Sequence, residues 1–436
     1  MELFDVLLST NPWWRGDKPE VPALTRDGFE GIDDSFNQAK QMICVQGLRR
    51  VGKTTLIMQL IRKLLDGGVK PESILYISLD DPRLLSVSYP ILEAHDVWGK
   101  RFGEKKGFLL VDEAHFADRF DLQLKRIWDA HKLPTLFTGS VALFLKKGIS
   151  DSLAGRVETI TLPPLSFGEF LKFRNVKHVS FESFEDMREK SYMLSDMVYA
   201  ALYDYISVGG FPEILDMELA EAMRYLRETY VERVLMKDIP AVFGRIDTMK
   251  LFTLFVLLAE RSGSKVNFTE LSSSTGLKID TVMKYIEIME TSGIVRFVRR
   301  LSRSFGRSKR VMPKVYLPSA SLLRSFKEIS ISEGALVENA VENHLPGEKH
   351  YWEGDAEVDF VAGGIPIEVK FSNRPEDALK GLRDLRKHLE FEQAVVVTRD
   401  RTGDETQKDF SVVYVPAAAF LLGKGILAGA KQPKTL

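Results

Sequence analysis

One cysteine in 436 residues, Cys44, excludes a disulfide framework and zinc sites built from clustered thiolates, and it suits a reducing compartment. Net charge is nearly absent as well. Sixty Lys and Arg against 61 Asp and Glu leave −1, which excludes a globally basic nucleic-acid wrapper while leaving room for a local basic patch. Long apolar runs are missing: Leu251 to Ala259 is the length of a core helix, and Val412 to Gly429 is interrupted by Pro416, glycines and Lys424. Neither reaches the roughly 18 to 20 clean residues that a bilayer span needs. The first residues, with Asp5, Arg15 and Asp17, lack a basic start leading into an apolar run and a cleavage site, so secretion is not expected. The expectation is a cytoplasmic protein without a membrane partner. What the chain does have is 44% hydrophobic residues and 27 Phe, enough for several cores and two to four domains.

The richest pattern lies near the start. Met42 to Gln46 reads as a short apolar strand, followed by Gly47-Leu48-Arg49-Arg50-Val51-Gly52-Lys53-Thr54-Thr55 and the helical run Leu56 to Leu65. Strand, glycine-bounded loop and helix in that order form a phosphate-binding loop. Gly47 and Gly52 allow the backbone N–H groups to wrap phosphate oxygens, and the helix N-terminus adds partial positive charge. Gly47, Arg49, Gly52, Lys53, Thr54 and Thr55 are therefore the candidate ATP contacts, with Lys53 reaching the β and γ phosphates and Thr54 coordinating Mg²⁺.

Strands at Ile74 to Leu79 and Phe108 to Val111 follow, the second delivering Asp112 and Glu113 to its C-terminal end, where parallel sheets place ligands. Asp112 is the expected magnesium-side carboxylate and Glu113 the base that polarises the attacking water. Asp112 to His115 also spells a string found in one helicase group, but no other helicase motif accompanies it. A further strand, Thr135 to Thr138, ends at Ser140, which is either a water- or phosphate-sensing hydroxyl or a small residue in a tight turn. Arg156 is either a transition-state cation, acting in its own site or in a neighbour's within a homo-oligomer, or a surface arginine.

From Pro163-Pro164 the chain turns to aromatic-rich helices, notably Phe167 to Arg174, Ser191 to Val208 and Glu218 to Asp238, with Gly209-Gly210-Phe211-Pro212 between the last two. Leu251 to Arg261, Thr269 to Ser273 and Asp280 to Thr291 then give a helix-turn-helix pattern, and Ile294 to Leu301 with Val311 to Leu317 a hairpin, together a winged helix. Between Arg296 and Lys314 lie eight basic residues and no acidic one. Arg299, Arg300, Arg303, Arg307, Lys309 and Arg310 are accordingly the candidate phosphate contacts of a DNA partner, read without base specificity. The alternative is a winged helix used in protein contacts or domain closure.

The last hundred residues read as an α/β domain: a helix Glu333 to His344 bearing Glu338, strands Ala356 to Ala362 and Ile365 to Phe371 joined by Gly363-Gly364, a helix Glu376 to Phe391 and two more strands. Glu368 and Lys370 share a strand face. If the register sets Asp359 opposite Glu368, the two acids with Glu338 would hold Mg²⁺ and Lys370 would serve as a nuclease lysine. Glu357 shares the face of Asp359, which leaves open which acid takes the ligand position. The competing reading is an acidic cluster kept without cleavage.

Taken together, the chain resembles archaeal and bacterial AAA-related P-loop ATPases that carry a winged helix and a C-terminal restriction-endonuclease-like domain. The resemblance runs through Asn11-Pro12-Trp13-Trp14, Gly47 to Thr55, Leu110-Val111-Asp112-Glu113, Thr138-Gly139-Ser140, Leu153-Ala154-Gly155-Arg156, Gly209 to Glu213, Glu357-Val358-Asp359-Phe360 and Ile367-Glu368-Val369-Lys370. It implies an α/β chain with a P-loop ATPase core at 1–160, a helical lid or connector at 161–245, a winged helix with a basic wing at 246–325 and a restriction-endonuclease-like domain at 326–436. The expected function is a Mg²⁺-dependent ATPase coupled to DNA binding or remodelling, with nuclease activity an added expectation. A nucleotide-controlled switch that binds a protein partner is the alternative.

Overall fold

The computed structural model describes residues 2–84, 86–103, 107–139, 152–302, 312–326, 331–371, 374–423 and 425–427. Ser140, Arg303, Arg307, Lys309 and Arg310 lie outside the described residues. The chain divides into two units, Met1–Pro163 with Thr291–Gly293, and Pro164–Glu290 with Ile294–Leu436.

In the first unit, runs of apolar residues bounded by glycine or acid form strands buried on both faces: β1 (Met42–Gly47), β2 (Ile74–Ser78), β3 (Phe108–Asp112) and β4 (Thr135–Gly139). β5 (Val157–Leu162) alternates polar and apolar residues and lies at the edge. The order is β2-β3-β4-β1-β5, all parallel, so β4 is inserted between the loop strand β1 and the acidic strand β3. Helices α1 (Leu3–Thr10), α2 (Phe29–Gln38), α3 (Lys53–Asp66), α4 (Pro90–Phe102) and α5 (Phe120–His131) cover the sheet. Val6, Leu7, Ile91, Trp98, Leu124 and Trp128 share one core with Leu75, Leu109 and Phe137 of the strands.

The opposite edge strand, β2, is closed by side chains. Asn11 is fully buried, donates to the Tyr76 carbonyl at 2.9 Å and accepts the Tyr76 N–H at 2.8 Å, so its amide imitates a neighbouring strand. The Trp13 and Trp14 indoles both donate to the Ile74 carbonyl. The Asn-Pro-Trp-Trp string thereby satisfies backbone groups that an open edge would expose.

The second unit contains α6 (Phe167–Phe173), α7 (Phe184–Lys190), α8 (Asp196–Val208), α9 (Leu219–Tyr225), α10 (Ile239–Phe243), α11 (Thr248–Glu260), α12 (Phe268–Thr275), α13 (Ile279–Thr291), α14 (Ala320–Arg324), α15 (Glu333–His344), α16 (Ala378–Arg386) and α17 (Ala417–Leu422). The single helix expected over 218–238 is instead α9 followed by π-helical turns at Leu226–Val231 and Val234–Asp238. These turns keep Leu226, Tyr230, Val231, Val234 and Leu235 buried where a 3.6-residue repeat would rotate some of them outward.

Helices α11 to α13 and the antiparallel pair β6 (Arg296–Arg300) and β7 (Lys314–Tyr316) give the winged-helix arrangement. β6 also pairs in parallel with β8 (Lys349–Glu353). The wing strands therefore belong to one eight-stranded sheet with β9 (Glu357–Ala362), β10 (Ile365–Lys370), β11 (Gln393–Thr398), β12 (Gly403–Thr406) and β13 (Ser411–Pro416), in the order β12-β13-β11-β10-β9-β8-β6-β7. Hydrogen bonds thus cross the expected border between winged helix and tail. No helix among the described residues is long and apolar enough to cross a membrane.

Candidate active site

The C-terminal ends of β1, β3 and β4 bring the first unit's chemistry together. Gly47 closes β1 beside Leu162 of β5, and a Cβ at position 47 would collide with the Leu162 carbonyl oxygen. Gly52 has φ +98°, a left-handed conformation that only glycine adopts without strain, and it caps α3. Lys53 begins that helix, is 5% exposed, and directs its ammonium to the carbonyl oxygens of Gly47 at 3.2 Å and Leu48 at 3.0 Å. Thr54, next in the helix, donates its hydroxyl to Asp112 Oδ2 at 2.6 Å. Thr55 is exposed on the first turn, and Arg49 is half-buried in the loop.

Asp112 ends β3 and is 2% exposed. Its other oxygen accepts from the Thr138 hydroxyl on β4, and Tyr76 of β2 donates to Oδ2 at 3.3 Å. Burial, followed by the neighbouring Glu113 charge, raises the Asp112 carboxyl above the usual range, and the threonine hydrogen bonds and Lys53 oppose that shift. Glu113 turns out of the strand at φ +51°. Its N–H donates to the Thr138 oxygen at 2.9 Å, Oε1 is 3.8 Å from the Lys53 ammonium, and Oε2 is 3.3 Å from His115 Nδ1.

Lys53, Thr54, Asp112 and Glu113 therefore converge as the sequence spacing implied. Thr138, Tyr76 and His115 join them without having been singled out. Among the described residues, the hydroxyl that bonds to both Asp112 and the Glu113 N–H belongs to Thr138, two residues before Ser140.

The donor set fits a hard cation. Thr54 and Asp112 offer adjacent oxygens, and Mg²⁺ is typically bound by one or two protein oxygens with the remainder from water and phosphate. The described residues hold no group of three His, Cys, Asp or Glu arranged for a metal, which this mode of binding does not require.

Arg156 stands elsewhere. It precedes β5, accepts the Met42 N–H through its carbonyl, and pairs its guanidinium with Asp129 of α5 at 2.9 Å. The six residues of β5 separate it from the loop end of the sheet, about 20 Å at the rise of a strand. A role in its own chain's phosphate site is thereby corrected: the parallel sheet puts Arg156 and the loop at opposite ends.

In the second unit, β9 and β10 pair through Ile367↔Phe360, and beyond that point carboxylates replace the ladder. The Asp359 N–H donates to Glu368 Oε2 at 2.9 Å, the Val369 N–H donates to Asp359 Oδ2 at 3.0 Å, and Lys370 donates to Glu368 Oε1 at 2.5 Å. Lys314 of the wing strand is buried among the acids, 2.5 Å from Glu357, 3.1 Å from Asp359 and 3.8 Å from Glu338, and Tyr316 donates to Glu338 at 2.8 Å. Burial opposes the Lys314 charge, but Asp359, Glu338 and Glu357 outweigh it and raise the ammonium above the ordinary lysine value. Burial and then Asp359 push Glu338 up to about 7 and Glu368 up to about 8.

The expected metal shell of Glu338, Asp359 and Glu368 is corrected on this geometry. The acids do come together, but each is paired with an ammonium, Glu338 and Asp359 with Lys314 and Glu368 with Lys370, and no three among the described residues are arranged to hold a cation. Whichever acid was to take the ligand position, both Glu357 and Asp359 are bound to Lys314.

The wing reading changes for the same reason. Arg296 pairs with buried Glu342 at 3.6 Å and Arg299 with Glu290 at 3.0 Å. Arg300 donates to the Glu353 carbonyl and lies over the Trp352 ring. The basic run thus spends its described members on internal partners, and Arg303, Arg307, Lys309 and Arg310 lie outside the described residues.

Residues 39–171 match the family described as an AAA domain, and residues 199–333 match a domain of unknown function, DUF8612. An uncharacterized protein of Methanocaldococcus jannaschii is 29% identical over 271 residues, covering 58% of this chain and 56% of its own length. One of Haemophilus influenzae is 27% identical over 284 residues, covering 62% and 65%. The chain thus matches less than two thirds of the length of either relative. Among solved structures, the Aeropyrum pernix ORC1 protein in complex with DNA is 14% identical with a TM-score of 0.35, covering 70% of this chain and 94% of that one. AMPPCP-bound DnaA from Aquifex aeolicus is 15% identical with a TM-score of 0.31, covering 63% and 90%. What those two proteins bind stays with them. Residues 39–171, with the phosphate loop and the acidic pair of β3, form an AAA-type P-loop ATP-hydrolase domain.

Proposed function

We propose that the chain is a Mg²⁺-dependent ATPase whose turnover is coupled to DNA engaged by the wing. The carrying observation is the Thr54–Asp112–Thr138 cluster beside the Lys53–Glu113 pair, at the sheet end where the phosphate loop opens. In this reading Glu113 takes the proton as water attacks the γ phosphorus. The bond from that phosphorus to the bridging oxygen breaks, leaving ADP and phosphate. Lys53 lies where it would face the negative charge that spreads over the transferred group. Thr54 and Asp112 would hold the magnesium ion, which when bound shields phosphate charge.

Support for DNA is the concentration of Arg303, Arg307, Lys309 and Arg310 within eight positions that contain no acid, in the sequence between the paired strands β6 and β7. Nuclease chemistry is left out of this reading, because the acids that would bind the metal are already paired with Lys314 and Lys370 and no three among the described residues are arranged to hold a cation. ATP turnover measured with and without duplex, branched and single-stranded DNA tests the coupling. Stimulation by at least one form is expected. A rate indifferent to all of them, with no binding, favours the protein-partner switch, a reading supported by the internal engagement of Arg296, Arg299 and Arg300.

A further inference from the structure

Arg26 lies in the segment that precedes α2, far in sequence from the phosphate loop, yet its guanidinium is buried against that loop. Its side chain is 6% exposed; one terminal nitrogen donates to the Val51 carbonyl at 2.5 Å and the other to the Pro163 carbonyl at 2.8 Å. The segment around it is fastened in turn: Gln59 of α3 donates to the carbonyls of Pro22 at 2.8 Å and Leu24 at 2.9 Å.

The consequence follows from peptide geometry. No described peptide bond is cis, so the Val51 carbonyl and the Gly52 N–H lie in one plane and point in opposite directions. A guanidinium that fixes the carbonyl therefore fixes the Gly52 N–H in the opposite direction, away from Arg26. Gly52, at φ +98°, would otherwise be free to rotate, since glycine has no Cβ to limit it. The second arm sets the reference point. Pro163 follows β5, whose last residue, Leu162, is the one that meets Gly47. Arg26 thus ties the far end of the loop to the same strand end on which its first glycine rests.

We propose that Arg26 is a positioning residue for ATP, preorganising the Gly52 N–H as a phosphate donor through the Val51 carbonyl. This rests on the loop binding nucleotide and concerns a residue outside the loop motif. Such a donor binds phosphate equally in ground and transition states, so its loss raises KM and leaves kcat. A lysine has one ammonium and cannot serve both carbonyls in the fixed fork geometry of arginine, so Arg26→Lys restores only part of the effect.

The test measures steady-state ATPase kinetics and the Kd of a fluorescent ADP analogue for wild type, Arg26→Ala and Arg26→Lys. Arg26→Ala is expected to raise KM and Kd about ten-fold or more, the size set by losing a charge-assisted hydrogen bond, with kcat within about three-fold. Arg26→Lys is expected to fall between the two. Unchanged KM and Kd in Arg26→Ala, or a fall in kcat at constant KM as a loss of folded enzyme would give, overturns the proposal. If Arg26→Ala does not fold, Arg26→Lys decides: wild-type KM and Kd overturn it, and intermediate values support it. If the wild type binds ADP without turning over ATP, hydrolysis fails as the function while the Kd series still decides the role of Arg26.

Discussion

The Thr138 hydroxyl donates to Asp112 on the neighbouring strand, and the same oxygen accepts the N–H of Glu113. One small side chain thus orients both acids at once, which is possible because β4 lies between the acidic strand and the loop strand. Thr138→Val keeps the shape but removes donor and acceptor, leaving a buried carboxylate short of a partner. The expected result is a fall in kcat of about 10- to 100-fold, the usual cost of losing a supporting hydrogen bond at a metal ligand, with ATP affinity within a few-fold. Thr138→Ser should recover most of the rate. Wild-type turnover by the valine variant would mean that the clamp does not organise the site.

Glu113 is the base in this reading, with one oxygen 3.3 Å from His115 Nδ1 and the other 3.8 Å from the Lys53 ammonium. Glu113→Gln preserves size and removes basicity. Nucleotide binding should persist while single-turnover hydrolysis drops about 10²- to 10⁴-fold, the range ascribed to general-base catalysis. Hydrolysis that survives would assign proton abstraction to another group.

The engine was legible because its residue types and spacing have few alternative meanings: an apolar strand, two glycines, Lys53-Thr54, then Asp112-Glu113 at the end of another strand. Arg26 was not legible, since a lone arginine in a loop acquires meaning only when a distant carbonyl is brought to it. β5 and β8 are equally silent in sequence. Val157 to Leu162 is half polar, and Lys349 to Glu353 buries only Tyr351, so neither carries the continuous apolar run that marks β1 or β3. Lys314 misleads for a related reason. A charge count adds it to a basic run, whereas sheet pairing turns its side chain inward to Glu357 and Asp359.

The wing offers two arginine classes that one experiment can separate. Replacing Arg303, Arg307 and Arg310 together by Glu should weaken DNA binding broadly across sequences and flatten its salt dependence, by a slope of about one for each phosphate the wing no longer neutralises. Arg300→Ala, which removes an internal hydrogen bond to Glu353 and stacking on Trp352, should lower the melting temperature and leave that slope unchanged. An affinity and salt slope untouched by the triple reversal would remove these three arginines from DNA binding.

Glu338 makes stability depend on pH in a direction that can be worked out. Burial, then the charge of Asp359, push its carboxyl up to about 7 from an ordinary 4.5, against Lys314 and the Tyr316 hydrogen bond, with Glu357 adding to the rise. Between those two values the folded chain binds more protons at this position than the unfolded chain, so this group's contribution to stability falls as pH rises, and it levels off above the folded value. Glu338→Gln keeps an oxygen for Tyr316 to donate to and cannot titrate. Urea unfolding of both proteins from pH 5 to pH 8 should therefore show the wild type losing ground to the variant up to about pH 7, then a constant difference. A difference that is flat, or that grows in favour of the wild type with rising pH, would show that Lys314 rather than burial governs this carboxyl.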